Sequence, residues 1–271
     1  MTYTSPIPQL GLGTFGRTGD AGIRAILSAI EIGYRHIDTA QSYDTESSVG
    51  EAIRRSGLPR SDFFVTTKVA DTNLSKADFL PSVEKSLETI GTDQVDLLLI
   101  HWPSQNDEVP FDDYMLALAE ARQRGWTRHI GVSNFPIALL DKAFALLGEN
   151  TITTDQVEIH PYLQAPRLVN HCRSKGLALT AYQPLYKGAV NDDPLLKAIA
   201  ETHGVTAAAV ALAFLMAEGH AVIPASSSLE NLRNNFASQD VNLTADEIAR
   251  IRMLDRSARH INPAKSPRWD D

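Results

Sequence analysis

Cysteine is nearly missing from this chain. With Cys172 as the single copy among 271 residues, no internal disulfide can form, and a reducing cytoplasm is the expected setting. No CxxC or Cys/His spacing occurs either, so no metal site is expected. No apolar stretch approaches the roughly 20 residues that a membrane span needs. The opening Met1-Thr-Tyr-Thr-Ser-Pro lacks a basic region followed by an apolar run, so neither a membrane partner nor a signal peptide is expected. Positive charge is also short. Lys plus Arg number 25 against 33 Asp plus Glu, a formal net charge of −8, which argues against nucleic acid as a partner. Low-complexity stretches, Gly/Ser linkers and charge blocks are absent, so nothing marks a domain boundary, and one domain over 1–271 is expected, with a C-terminal helix and tail over about 244–271.

What is present is an alternation. Short β-branched or apolar runs occur at Gly11–Phe15, His36–Thr39, Phe63–Thr67, Val95–Ile100, His129–Ser133, Thr154–Glu158, Ala178–Tyr182 and Ala221–Pro224. Amphipathic helical windows lie between and after them, near 20–32, 46–56, 76–89, 111–124, 136–147, 166–175, 192–218 and 228–236. Ile23, Ile26, Leu27 and Ile30, for instance, recur on one helix face. Gly57, Gly91, Gly125, Gly148 and Gly176 each follow a helical window, where a left-handed residue stops a helix. A tail helix over 244–256 opens with Thr244-Ala-Asp-Glu247, a capping-box pattern. Eight strand–helix units without a composition break predict an α/β fold, the (β/α)8 TIM barrel, with a doubly wound open sheet as the alternative.

Gly11-Leu-Gly13-Thr-Phe-Gly16 matches the dinucleotide fingerprint G-x-G-x-x-G, and Asp38 follows at about the right distance. The context is wrong. Ser5-Pro-Ile-Pro8 stands where the preceding strand should be, and Arg17-Thr-Gly-Asp20 separates Gly16 from any helix. The glycines read better as turn and packing residues.

A stronger signal is a set of polar residues at or just beyond strand ends. Asp38 ends Arg35-His-Ile-Asp, with Tyr43 five residues on; Lys68 follows Val65-Thr-Thr; His101 follows Leu97-Leu-Leu-Ile. In a barrel these ends converge on one mouth. Each alone is an ordinary rim residue; together they compose a proton donor. A tyrosine hydroxyl near pKa 10 is a weak acid at neutral pH, and an adjacent ammonium favours its phenolate. Asp38 would balance and orient Lys68, and His101 would hold a carbonyl oxygen or share the proton.

Gly11-Leu-Gly-Thr-Phe15, Tyr34-Arg-His-Ile-Asp-Thr-Ala40, Thr67-Lys68, Leu99-Ile-His-Trp-Pro103, Ile130-Gly-Val-Ser-Asn-Phe135 and Asp155-Gln-Val-Glu-Ile-His-Pro-Tyr162 resemble the aldo-keto reductases, in order, over about residues 8–255. The short loops resemble the bacterial branch that contains 2,5-diketo-D-gluconate reductase B. The resemblance implies a (β/α)8 barrel that reduces small-molecule carbonyls with NADP(H), using a tetrad of Asp38, Tyr43, Lys68 and His101 with Tyr43 as general acid. It implies that Ser133, Asn134 and Gln156 bind the nicotinamide carboxamide and that Tyr182 stacks on the ring. Gln183, Leu185, Ser226, Ser227, Ser228, Asn231 and Asn235 are implied as further cofactor contacts, Asn235 at the adenine. A monomer is the family expectation.

Two departures stand out. Many relatives carry Lys where Ala225 stands and Arg where Asn231 stands, cations that hold the 2′-phosphate; here both are missing and Glu230 adds negative charge. The serines at a helix start can still donate to an anion, and Arg233 lies two positions further on, but a doubly charged phosphate without a firm cation binds weakly. Use of NAD(H) beside NADP(H) is therefore expected. In the substrate pocket, Phe15 and Trp102 look like retained walls, whereas Ala70 stands where relatives often have Trp, which opens the pocket unless a loop refills it. Tyr186 and the 103–111 loop are further wall candidates. The alternative function is a cofactor-binding regulatory barrel without significant turnover.

Overall fold

In the computed structural model, which describes residues 5–270, the eight apolar runs lie side by side in chain order. They are β1 (Gly11–Gly13), β2 (His36–Asp38), β3 (Phe64–Val69), β4 (Val95–Ile100), β5 (Thr127–Ser133), β6 (Ile152–Glu158), β7 (Ala178–Tyr182) and β8 (Ala221–Val222). Every neighbouring pair is parallel. The sheet closes on itself. Leu10 bridges Val222 in parallel, the Val222 N–H donates to Gln9 O at 2.7 Å, and the Gly13 N–H donates to Pro224 O at 3.1 Å. The result is the (β/α)8 barrel, not an open sheet.

The helices are α1 (Gly19–Ile32), α2 (Glu46–Ser56), α3 (Phe79–Ile90), α4 (Phe111–Gln123), α5 (Ile137–Leu147), α6 (Pro166–Ser174), α7 (Pro194–His203), α8 (Ala207–Ala217), α9 (Leu229–Phe236) and α10 (Ala245–Arg252). They pack their apolar faces on the outside of the barrel, as Ile23, Ile26 and Ile30 of α1 do. Alternate residues of β4 divide between two cores, as strand periodicity requires. Leu98 and Ile100 face the helices; Leu97 and Leu99 join Ile7 and Ala221 in a smaller cluster inside the barrel.

Three differences from the sequence expectations have local causes. The window 192–218 is two helices, because Gly204 adopts φ 65° and ends α7, and the Thr206 hydroxyl accepts from the Ala209 N–H to start α8 across a 90° bend. Strand β8 stops at Val222 because Pro224 cannot donate to a ladder. The tail helix has its capping box at Thr244 and Glu247 but ends at Arg252, and the chain from there to residue 270 has no regular structure. The glycine motif serves packing and a turn. A Cβ on Gly11 would sit 2.6 Å from His36 Nδ1, Gly16 turns at φ 77°, and no helix begins before Gly19. Among the described residues no single helix is long and apolar enough to cross a membrane.

Candidate active site

Asp38 closes β2, Lys68 lies inside β3, and His101 follows β4, so three neighbouring strands deliver them to one end of the barrel. Tyr43 arrives on a single 3-10 turn, Gln41–Tyr43, directly after β2. That turn is pinned from both sides. Gln41 donates to Ser82 O and to the Ser82 and Ser86 hydroxyls at 3.1 Å, and its Oε1 accepts from the Ala70 N–H and from Asn73 at 2.9 Å. Beneath it, Thr39 and Thr45 share a hydrogen bond of 2.8 Å and Thr14 donates to Asp38 O at 2.9 Å, all buried. Satisfied buried networks of this kind fix one geometry.

Lys68 is wholly buried. Its Nζ donates to Asp38 Oδ1 at 2.5 Å and to Thr39 O at 2.9 Å, and sits 4.9 Å from the centroid of the Tyr43 ring. Burial pushes the Lys68 ammonium towards neutrality, but Asp38 and Tyr43 more than reverse this, and its pKa stands above the ordinary lysine value. Tyr43 Oη stands 3.4 Å from His101 Nε2, and Ser42 Oγ is 3.2 Å from His101 Nδ1. Burial, then the charges of Lys68 and Lys265, hold His101 well below the usual imidazole range, so the ring is neutral. One expectation fails. Burial raises the Tyr43 pKa above the ordinary phenol value, and the lowering by Lys68 only partly offsets it.

The residues expected at the nicotinamide also converge. Ser133 Oγ donates to Gln156 O at 2.7 Å, Asn134 Nδ2 donates to His101 O and Ser133 Oγ at 3.0 Å, and Tyr182 Oη donates to Asn134 Oδ1 at 2.8 Å. Gln156 also makes a bond that the sequence did not suggest. Its Nε2 donates to Asp38 Oδ2 at 2.8 Å, tying it to the buried ion pair.

All of these except Lys68, which lies beneath Tyr43, face one cavity of about 920 Å³. Gln183, Leu185, Ser226, Asn231 and Asn235 line it too, as do Phe15 and Trp102. Phe15 is 65% exposed and packs edge-on against Tyr43, a rim position. Ser227 and Ser228 are off the wall; Ser228 instead caps α9, accepting from the Asn231 N–H. Ala70 is off the wall as well, buried behind Tyr43's loop. Tyr186 turns away to pack on His160, Tyr162 and His260, and no residue of 103–111 lines the cavity. Among the walls that sequence reasoning missed are Ile261, Pro263 and Lys265 of the irregular tail, Lys187 after β7, and Arg17, whose Nε is buried without a partner.

The donor set suits a nicotinamide dinucleotide: amide and hydroxyl groups meet beside Tyr43 and His101, and Arg17, whose Nε is buried without a partner, lines the same cavity. Comparison with known proteins agrees. The aldo/keto reductase family model matches residues 9–256. Methylglyoxal reductase DkgB of Escherichia coli O157:H7 is 45% identical over 265 residues, 97% of this chain and 99% of that one. An aldo-keto reductase of Mycolicibacterium vanbaalenii is 39% identical over 93% of this chain and 90% of its own. A crystal structure assigned provisionally as a 2,5-diketo-D-gluconic acid reductase B superposes with TM-score 0.94 at 43% identity, covering 98% of this chain and 94% of that one. The aldose reductase of Schistosoma japonicum superposes with TM-score 0.92 at 28% identity, covering 98% and 96%. The chain belongs to the aldo/keto reductase family and is an NAD(P)H-dependent oxidoreductase that reduces carbonyl groups.

Proposed function

We propose that Tyr43 is the general acid of this reductase, with Lys68, Asp38 and His101 as its tuning and orienting groups. The observation that carries the reading is the position of the Tyr43 hydroxyl. It faces the cavity, stands 3.4 Å from His101 Nε2, and its ring lies 4.9 Å from an ammonium that Asp38 locks in place. A raised pKa keeps the hydroxyl protonated at neutral pH, as a proton donor must be. The fixed charge of Lys68 then stabilises the phenolate left behind as the proton moves to the substrate oxygen. Reduced nicotinamide, when bound, supplies the hydride that reduces the carbonyl carbon. Ser42 Oγ lies 3.2 Å from Nδ1 of the neutral His101 and Tyr43 Oη 3.4 Å from Nε2; in the tautomer where Ser42 is the donor, the ring proton sits on Nε2, on the side of Tyr43 Oη. Ser133, Asn134 and Gln156 are the groups that would hold the carboxamide, and Tyr182 the one that would stack on the ring.

The cofactor reading extends to NAD(H). Ala225 and Asn231 line the cavity without positive charge, and Glu230 is exposed nearby, so a 2′-phosphate gains little there. Arg17 faces the cavity and suits the phosphates common to both cofactors. The cavity of about 920 Å³ holds the cofactor contacts as well as Tyr43, Phe15 and Trp102, so carbonyl substrates, sugar-derived keto compounds among them, would occupy the part beside Tyr43 that the cofactor leaves open. The single buried Cys172 suits a cytoplasmic enzyme.

The test is the loss of reduced-cofactor absorbance with methylglyoxal and with a bulky ketone, run in parallel with NADPH and NADH. Comparable kcat/KM with the two cofactors is expected. A preference for NADPH beyond about 100-fold, equivalent to about 2.7 kcal/mol, overturns the cofactor reading. No turnover with either overturns the assignment of Tyr43 and favours a regulatory barrel.

A further inference from the structure

The protein carries a net charge of −8, yet its active-site cavity is lined by three cations, Arg17, Lys187 and Lys265, against one acid, Asp38. Asp38 is already neutralised by buried Lys68. An apolar-walled cleft with a surplus of one sign concentrates ligands of the other. Lys265 belongs to the catalytic end. It is 5.7 Å from the centroid of the Trp102 ring, pairs at 2.6 Å with Asp71, three residues beyond Lys68, and contributes to holding His101 neutral.

We propose that Lys265 is a specificity-determining residue that seats an anionic group, a carboxylate, on the carbonyl substrate. This rests on the reductase reading above and adds the substrate's charge class to it. The ammonium has three donors, of which Asp71 takes one. The ammonium stands 5.7 Å from the centroid of the Trp102 ring, and Lys265 lines the same cavity as Tyr43 and His101. Asp71 is a positioning residue. Its ion pair with Lys265 ties the tail to the loop after β3 and fixes where the charge stands. The pair is about 30% exposed on both sides, so a substrate carboxylate can share the ammonium with Asp71 rather than displace it.

The test is a ratio: kcat/KM for 4-carboxybenzaldehyde over kcat/KM for 4-nitrobenzaldehyde, two aldehydes of matched shape that differ in charge. The wild-type ratio is expected to fall about tenfold in Lys265→Met, through KM of the carboxylate, as loss of one partly screened charge-assisted contact requires. Lys265→Arg restores it, Asp71→Asn raises it by releasing the ammonium, and added salt lowers it in every variant that keeps a cation at 265 but not in Lys265→Met. A ratio unchanged in Lys265→Met overturns the inference while leaving the reductase intact. Absence of turnover with both aldehydes overturns the reductase reading and the inference with it.

Discussion

Replacing Lys68 by Met separates two roles that one residue fills. The ammonium is wholly buried and holds Asp38 Oδ1 at 2.5 Å, while the other Asp38 oxygen keeps only the Gln156 amide at 2.8 Å. Removing it leaves a carboxylate in the barrel without its counter-charge, which costs about 3–5 kcal/mol. At roughly 2–4 °C per kcal/mol for a domain near this size, Tm falls by roughly 6–20 °C. A second change, Asp38→Asn, removes the orphaned charge without removing volume, so the double variant recovers most of the lost stability. It recovers none of the activity. Tyr43 still lacks the cation that stabilises its phenolate, and kcat stays at least about 100-fold down, as for loss of general acid catalysis. Thermal melts followed by circular dichroism and steady-state kinetics on the wild type, both single variants and the double variant make the test. A double variant as unstable as Lys68→Met, or one that regains turnover, refutes the reasoning.

Two further outcomes follow from buried groups. Burial lowers the His220 pKa to about 4 against 6.5 unperturbed. The unfolded chain therefore binds that proton first, and the stability lost as pH falls from 6.5 towards 4 amounts to about 2 kcal/mol at pH 5; urea midpoints of His220→Gln should fall less steeply between pH 7 and 5 than those of the wild type, and parallel curves would contradict this. Ala70→Trp forces an indole into space beside the tail's ion pair at Asp71. It should cost about 1–3 kcal/mol and slow bulky ketones more than methylglyoxal; equal effects on both substrates would rule out the link between Ala70 and pocket size.

Much of the frame was legible because barrel strands are short apolar runs and the intervening helices carry one apolar face. The glycines that stop helices were legible for the same local reason, as at Gly91, where φ is 76°. The convergence of Asp38, Lys68 and His101 was legible because strand ends in a barrel share one mouth, so the three had to be neighbours once the strands were found. Two kinds of information were not. The tail over 253–270 has no periodicity, so nothing in its order marks Ile261, Pro263 and Lys265 as cavity walls; they are placed by Lys265 on Asp71, by Trp269 edge-on to Trp102, and by Asp270 accepting from the Ile137 N–H at the start of α5. Balances between opposing effects were also hidden. The sequence puts Lys68 beside Tyr43 and implies a lowered pKa, but burial, which only packing determines, moves Tyr43 the other way. The bond from Gln156 to Asp38 spans 118 positions and joins two residues to which the family resemblance gives separate tasks.

Tyr43→Phe bears most directly on the catalytic assignment, because the ring keeps its packing against Phe15 and over Lys68 while the hydroxyl alone is lost. Turnover of methylglyoxal and quenching of protein fluorescence by the reduced cofactor are measured on the same preparation. The expected result is cofactor binding close to wild type with turnover down by about 100-fold or more. Wild-type turnover in Tyr43→Phe would contradict the assignment and move the proton donor to His101.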